Sequence, residues 1–92
     1  MSHEKPRRPS RYKVLLHNAP SLSQEFVVAL LQEVFHKSSA EAGQVLLHLH
    51  QGGQGVDGVY PYEVAEMKLK SVELAARENK VPLRVSMEPE GG

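Results

Sequence analysis

Hydrophobic residues along this chain follow a strand-like pattern near both ends and a helical pattern between them. Residues 12–17 form a short, mostly apolar run that is rich in β-forming side chains, which predicts a strand. Residues 56–60 and 83–87 predict two further short strands on the same grounds. Pro82 closes the loop before the last of them.

A first helix is predicted between the first two strands. Ser21 and Gln24 have the spacing of a capping box, which favours a helix start there, and the helical pattern ends near Lys37. The apolar residues that recur at helical spacing are Phe26, Val27, Leu30, Leu31, Val34 and Phe35.

Two more helices are indicated by capping residues and apolar stripes. Ser38 and Glu41 form a second capping box, and Gly52-Gly53 ends the helix that follows. Pro61 can begin a third helix, since no N–H is needed in its first turn. The expected stripes are Ala42, Val45, Leu46 and Leu49 in the second helix, and Val64, Ala65, Leu69, Val72 and Ala76 in the third.

The predicted order of elements is β-α-α-β-α-β. It indicates an α+β two-layer sandwich, in which helices pack on one face of a three-stranded antiparallel sheet. We expect residues 1–11 to be a flexible arm, residues 12–88 to form one folded domain and residues 89–92 to fray. The side chains expected to lie against the sheet are Phe26, Leu30, Val34, Leu46, Leu49, Leu69 and Val72.

Composition narrows the classes of function. The 11 basic and 11 acidic side chains give zero formal net charge, which disfavours a nucleic-acid binder that neutralises phosphates. The absence of cysteine excludes disulfides, thiol nucleophiles and thiolate metal sites. No apolar run approaches the ~18 residues of a membrane span, and the first residues lack the apolar core of a signal peptide. We therefore expect a cytoplasmic protein without nucleic-acid or membrane partners.

No catalytic or metal-binding set stands out among the polar residues. His48 and His50 lie two apart on a predicted helix, so they point about 200° apart and cannot share an ion. No Ser-His-Asp or Cys-His set is supported, and the glycines at 52–55 precede a strand instead of following one. We expect no enzyme, no cofactor and no metal. Taken alone, His50 is best interpreted as a boundary histidine capped by a backbone group.

Short motifs, in order and at matching spacing, run through most of the chain. They lie at residues 12–18, 25–28, 35–39, 46–47, 50, 58–59, 63–66 with 68, 76–78 and 82–83. Together they resemble the ClpS family, small adaptors that hand proteins to an AAA+ unfoldase and its protease. The resemblance implies the same β-α-α-β-α-β fold and an adaptor domain over residues 12–88.

The resemblance implies two binding surfaces. One docks on the amino-terminal domain of a Clp-family AAA+ unfoldase, and Glu63 and Lys68 match the family's unfoldase-facing positions. The arm over residues 1–11 corresponds to the family's amino-terminal extension, which engages the unfoldase. We expect the adaptor to be a monomer.

The second implied surface grips the first residue of a substrate, the N-degron, usually Leu, Phe, Tyr or Trp. Asn18 and His50 match two family contacts to the substrate's α-amino group. Gln24 stands where the family commonly has a methionine gate. The residues at the positions of the apolar pocket wall are Leu22, Val27, Leu46, Leu49 and Leu83.

The chain departs from the family immediately after Asn18. Ala19 and Pro20 occupy the positions of two acidic residues, and neither offers a side-chain acceptor. A free α-amino group is a cation with three donors, so it is bound best by charged acceptors. We expect N-degron recognition to be weakened or altered, with Glu25 and Asp57 as the first acidic groups to consider as substitutes.

Two other functions remain open at this stage. The protein could dock on the unfoldase as a regulator that reads no N-degron. Alternatively, it could be a ribosome-associated interaction module with the fold of the carboxy-terminal domain of stalk protein L7/L12, although the motifs do not resemble that protein.

Overall fold

The computed structural model describes residues 11–19 and 22–91, so nearly all of the expected arm lies outside the described residues. The predicted order of elements and the α+β architecture are confirmed. The elements are β1 (Tyr12–His17), α1 (Gln24–Glu33), α2 (Ser39–Gly52), β2 (Gln54–Tyr60), α3 (Tyr62–Glu78) and β3 (Arg84–Pro89).

The three strands form one antiparallel sheet in the order β2-β1-β3. Tyr12, at the start of β1, pairs with Tyr60 on one side and with Pro89 on the other. β3 therefore runs two residues past Met87, the predicted end of the strand. Just beyond it, the Glu90 amide donates to the Arg11 carbonyl oxygen at 3.0 Å.

A β-bulge interrupts the pairing of β1 with β2. Val14 is opposite Gly58, but the next residue, Leu15, is opposite Val56. Asp57 is the extra residue on β2, and a bulge of this kind changes the direction of the side chain that it contains.

α1 differs from the prediction at both ends. Its N-cap is Ser23, whose hydroxyl accepts from the Phe26 amide at 3.3 Å, so the predicted capping box of Ser21 and Gln24 is wrong. The helix ends at Glu33 instead of near Lys37, because His36 adopts a left-handed backbone conformation with φ 55°.

The ends of α2 confirm the prediction. The Ser38 hydroxyl accepts from the Glu41 amide at 3.1 Å, and the Glu41 carboxylate accepts from the Ser38 amide at 2.9 Å. These hydrogen bonds to Ser38 lower the pKa of Glu41. Gly53 ends the helix with φ 82°, a conformation that glycine adopts at little cost.

α3 begins just after Pro61, which occupies its N-cap position. Its other end is closed by two backbone hydrogen bonds, from Val81 to the Ala76 carbonyl oxygen and from Lys80 to the Arg77 carbonyl oxygen. This is a Schellman motif, and Lys80 is its left-handed residue with φ 55°.

The helices pack on the sheet around one hydrophobic core. Of the residues expected there, Leu30, Leu49 and Val72 are buried, whereas Phe26, Val34, Leu46 and Leu69 are half-buried. Val64 was assigned to the inner stripe of α3, but it is 37% exposed, and that assignment is wrong. The core residues are Val14, Leu16, Val27, Leu30, Leu31, Phe35, Ala42, Val45, Leu49, Ala65, Val72, Ala76 and Leu83.

Candidate functional site

The chain leaving β1 is tied to the end of α2. The amide of Asn18 donates to the carbonyl oxygen of Gly53 at 2.8 Å. Gly53 is the C-cap of α2, and His50 lies in the last turn of that helix. The structure thereby places the backbones of Asn18 and His50 at the same end of the molecule, with both side chains exposed.

Gln24 and His50 are in contact across two helices. Gln24 is the first residue of α1, and its side-chain Nε2 lies 3.5 Å from Nε2 of His50. The Gln24 amide nitrogen is a donor, so this contact suits the neutral tautomer of His50 that carries its proton on Nδ1. The predicted gate residue and one predicted ammonium contact thus meet at the same rim.

The predicted apolar wall is continuous with the hydrophobic core. Val27 and Leu49 are each 1% exposed, and Leu83 is also buried. Leu22 and Leu46 are half-buried and pack against this cluster, so they supply the accessible part of the wall.

The loop after β1, where the family resemblance implies two acidic residues, is only partly described, because Pro20 and Ser21 lie outside the described residues. Its ends approach each other, since the Leu22 amide donates to the Ala19 carbonyl oxygen at 3.2 Å. Position 19 offers no carboxylate, because its residue is alanine.

The two suggested acidic substitutes differ sharply in their accessibility. The side chain of Asp57 is 0% exposed, so it cannot reach a ligand, and that suggestion is wrong. Glu25 is exposed in the first turn of α1, next to Gln24 in sequence. A role for Glu25 stays a prediction.

The predicted docking residues lie on α3 in different environments. Glu63 is exposed in the first turn of the helix. Lys68 is half-buried, and its ammonium donates to the Val34 carbonyl oxygen at 2.6 Å. The same ammonium lies 5.6 Å from the centroid of the Tyr60 ring. Lys68 is therefore held in one position by the fold.

A cavity of about 340 Å³, which sequence analysis missed, lies beside Lys68. The cavity lies between the end of α1 and α3. Met67, one of the residues that line it, is 66% exposed. In the sequence, the face of α3 that lines the cavity is indicated only by the spacing of Val64, Met67 and Ser71. The lining residues are Glu33, Val34, His36, Val64, Met67, Lys68 and Ser71.

Asp57 is the main electrostatic anomaly of the described structure. Among the described residues, neither of its carboxylate oxygens has a hydrogen-bond partner. Burial raises the pKa of Asp57 to about 8, although the charge of Lys37 acts in the opposite direction. The pKa of Tyr60 is raised as well, first by burial and then by the charge of Asp57.

Within residues 11–19 and 22–91, no three His, Asp or Glu side chains come together as a metal site. No helix in that part of the chain is long and apolar enough to cross a membrane.

Comparison with known proteins gives one consistent result. Residues 7–86 match the family model described as ATP-dependent Clp protease adaptor protein ClpS. The chain is 58% identical over 89 residues to the ClpS adapter of Myxococcus xanthus, covering 97% of this chain and 83% of that protein. It is 49% identical to the ClpS adapter of Desulfatibacillum aliphaticivorans, covering 95% of this chain and 84% of that protein.

A solved structure supports the same relationship. Agrobacterium tumefaciens ClpS2, determined bound to L-phenylalaninamide, superposes with a TM-score of 0.83 at 35% sequence identity. The superposition covers 90% of this chain and all of that one.

Proposed function

Because this chain belongs to the ClpS family of ATP-dependent Clp protease adaptor proteins, we propose that it docks on the amino-terminal domain of a Clp AAA+ unfoldase through α3. The observation that carries this proposal is the exposed surface around Glu63, Val64 and Met67, with the positioned ammonium of Lys68 beside it. Exposed apolar residues next to fixed charges are typical of a protein-binding surface.

The docking proposal is tested with the isolated amino-terminal domain of the cognate unfoldase. Glu63→Lys reverses one exposed charge at the proposed interface and should weaken binding several-fold. Glu73→Lys is the matched control, since Glu73 is also exposed on α3 but lies about 15 Å further along the helix than Glu63. Equal binding by the natural protein and both variants would remove this surface from the proposal.

We further propose that the rim formed by Asn18, Gln24 and His50 receives the first residue of a substrate, with weakened affinity. The contact of Gln24 with His50 supports such a rim. In Agrobacterium ClpS2 the bound L-phenylalaninamide is an amino acid amide, which resembles the first residue of a peptide. Leu22 and Leu46 would supply the apolar contact to its side chain.

The expected weakness follows from the missing carboxylates. Asn18 and His50 offer only neutral acceptors to an ammonium that must give up water. Losing a charge-assisted hydrogen bond costs about 1.5–3 kcal/mol, which corresponds to about 10- to 150-fold in affinity. His50 is also already engaged by Gln24 in the free protein.

Peptide titration tests this second proposal. Peptides that start with Leu, Phe, Tyr or Trp should bind weakly but measurably, and the same peptides with an acetylated amino terminus should not bind. If free and acetylated peptides behave alike, while the unfoldase domain still binds, the protein is a docking regulator that reads no N-degron. The family assignment favours either adaptor function over a ribosome-associated module.

A further inference from the structure

Asp57 is a buried carboxyl group with no hydrogen-bond partner among the described residues, and the charge of Lys37, in the connection between α1 and α2, acts on it. Asp57 is the extra residue of the β-bulge in β2, and its side chain is wholly shielded from solvent. A polar group in this state carries a large desolvation cost, which is far greater for a carboxylate than for a neutral carboxyl group. The proposed docking and degron surfaces do not use it.

The connection, residues 34–38, packs on this end of β2. The ring of Phe35 is buried and lies 6.4 Å, between centroids, from the ring of Tyr60. Lys37 is half-buried, and its charge favours the ionised form of Asp57. His36 is strained, because a non-glycine residue at φ 55° is in the left-handed region.

Tyr60 and Lys68 are the other titratable groups to consider around Asp57. Tyr60 on β2 is the second ionisable group that interacts with it. Lys68 on α3 faces the ring of Tyr60 but donates to the Val34 carbonyl oxygen. The buried residues that α2 and β1 contribute to the core are apolar, among them Val45 from α2 and Val14 from β1. Lys37 is thus the cation whose movement could serve an ionised Asp57.

We propose that the α1–α2 connection is a latch that closes over the neutral carboxyl group of Asp57 and opens when this group loses its proton. Ionisation leaves a buried charge whose nearest available partners are water and the Lys37 ammonium, and both require the connection to move. Opening would also withdraw the Val34 carbonyl oxygen from Lys68 and reshape the cavity that Glu33 and His36 line. Proton concentration would thereby regulate the α3 surface.

The direction of the pH effect follows from proton binding. The pKa of Asp57 is about 8 in the closed state, whereas an exposed Asp has its ordinary value near 4. Between these values the closed state holds one proton more than the open state. Raising the pH through this window therefore favours opening, by about tenfold in the equilibrium constant per pH unit.

The amide of Lys37 is a built-in probe of the latch, because it donates to the Leu31 carbonyl oxygen at 2.9 Å when the connection is closed. We would measure its hydrogen-exchange protection factor, which divides out the intrinsic pH dependence of exchange, from about pH 5 to 7.5. In the natural protein the protection factor of the Lys37 amide should fall about tenfold for each unit that the pH rises. In Asp57→Asn the protection factor should be independent of pH. Amides of β1 should remain better protected at each pH.

Three hydrogen-exchange results would overturn the latch. They are a pH-independent protection factor in the natural protein, the same slope in Asp57→Asn, or equal protection of Lys37 and the β1 amides, which would mean that the whole domain unfolds. A carbon-13 titration of the side-chain carboxyl groups tests the proposal without any variant. The Asp57 carboxyl should titrate well above its ordinary value near 4 and somewhat below the closed-state pKa of about 8, because opening assists loss of the proton, with Glu41 below its ordinary range as an internal control. Titration of Asp57 near pH 4 would also reject the latch.

Discussion

The ammonium of Lys68, in the middle of α3, donates a hydrogen bond of 2.6 Å to the carbonyl oxygen of Val34, which caps the end of α1. The last carbonyl groups of a helix lack partners within the helix, and a cation there also suits the helix dipole. One side chain therefore joins two helices and borders the proposed docking surface. Reversing the charge of Lys68 would disturb the contact between the helices as well as the proposed docking surface. Glu63 is therefore the better site for the docking test.

Lys68→Met separates the structural role of the ammonium from the packing of its stem. Methionine keeps most of the apolar length but leaves the Val34 carbonyl oxygen without its donor. We expect a loss of about 1–2 kcal/mol in the free energy of unfolding, measured by urea denaturation. Lys70→Met, at an exposed position of the same helix, should change it by no more than about 0.5 kcal/mol. Equal effects of the two substitutions would contradict the capping role.

Leu30→Ala tests the packing of α1. Leu30 is buried in the core cluster, so the substitution should reduce the free energy of unfolding by about 2–5 kcal/mol. Leu74→Ala is the control, because Leu74 is 50% exposed on α3 and should respond weakly. If Leu30→Asp left thermal melting unchanged, the placement of the inner face of α1 would be refuted.

Lys80→Gly should stabilise the protein. Lys80 holds the left-handed position that ends α3, where glycine avoids the steric cost of a Cβ atom. We expect a gain of about 0.5–1 kcal/mol, visible as a higher melting temperature. Lys70→Gly, inside the helix, should instead cost about 1 kcal/mol. A loss of stability in Lys80→Gly would show that the side chain contributes more than the backbone strain costs.

Replacing Ala19 and Pro20 together by Asp restores two carboxylates to the rim. Binding of Leu- or Phe-starting peptides should tighten at least about tenfold, mostly through position 19, because an ammonium gains a charged acceptor. Isothermal titration calorimetry would measure the gain, which should vanish for acetylated peptides. Should the natural protein already bind tightly and the variant add nothing, Glu25→Gln would be the next substitution, since Glu25 is the accessible acid beside Gln24.

Local sequence determined the order β-α-α-β-α-β and the bounds of β1 and α2. Both caps of α2 involve residues only a few positions apart, so they can be predicted without the fold. They are the reciprocal hydrogen bonds of Ser38 with Glu41 and the left-handed Gly53. The same local patterns also carried the family resemblance, which the comparisons confirmed. The start of α1 was predicted wrongly because two serines, Ser21 and Ser23, precede the helix and either could cap it. Ser23 is the N-cap in the structure.

The tertiary structure alone decided which polar groups are accessible. Lys68 and Val34 are 34 residues apart, and Asp57 is buried at the bulge of β2, where no local pattern marks a buried position. Val64 lies one residue before the buried Ala65, so a rotation of about 100° along the helix moves it to the cavity side. Burial of a charge, or the position of an ammonium, depends on contacts between distant segments. Such contacts exist only once the chain has folded, and no local pattern encodes them separately.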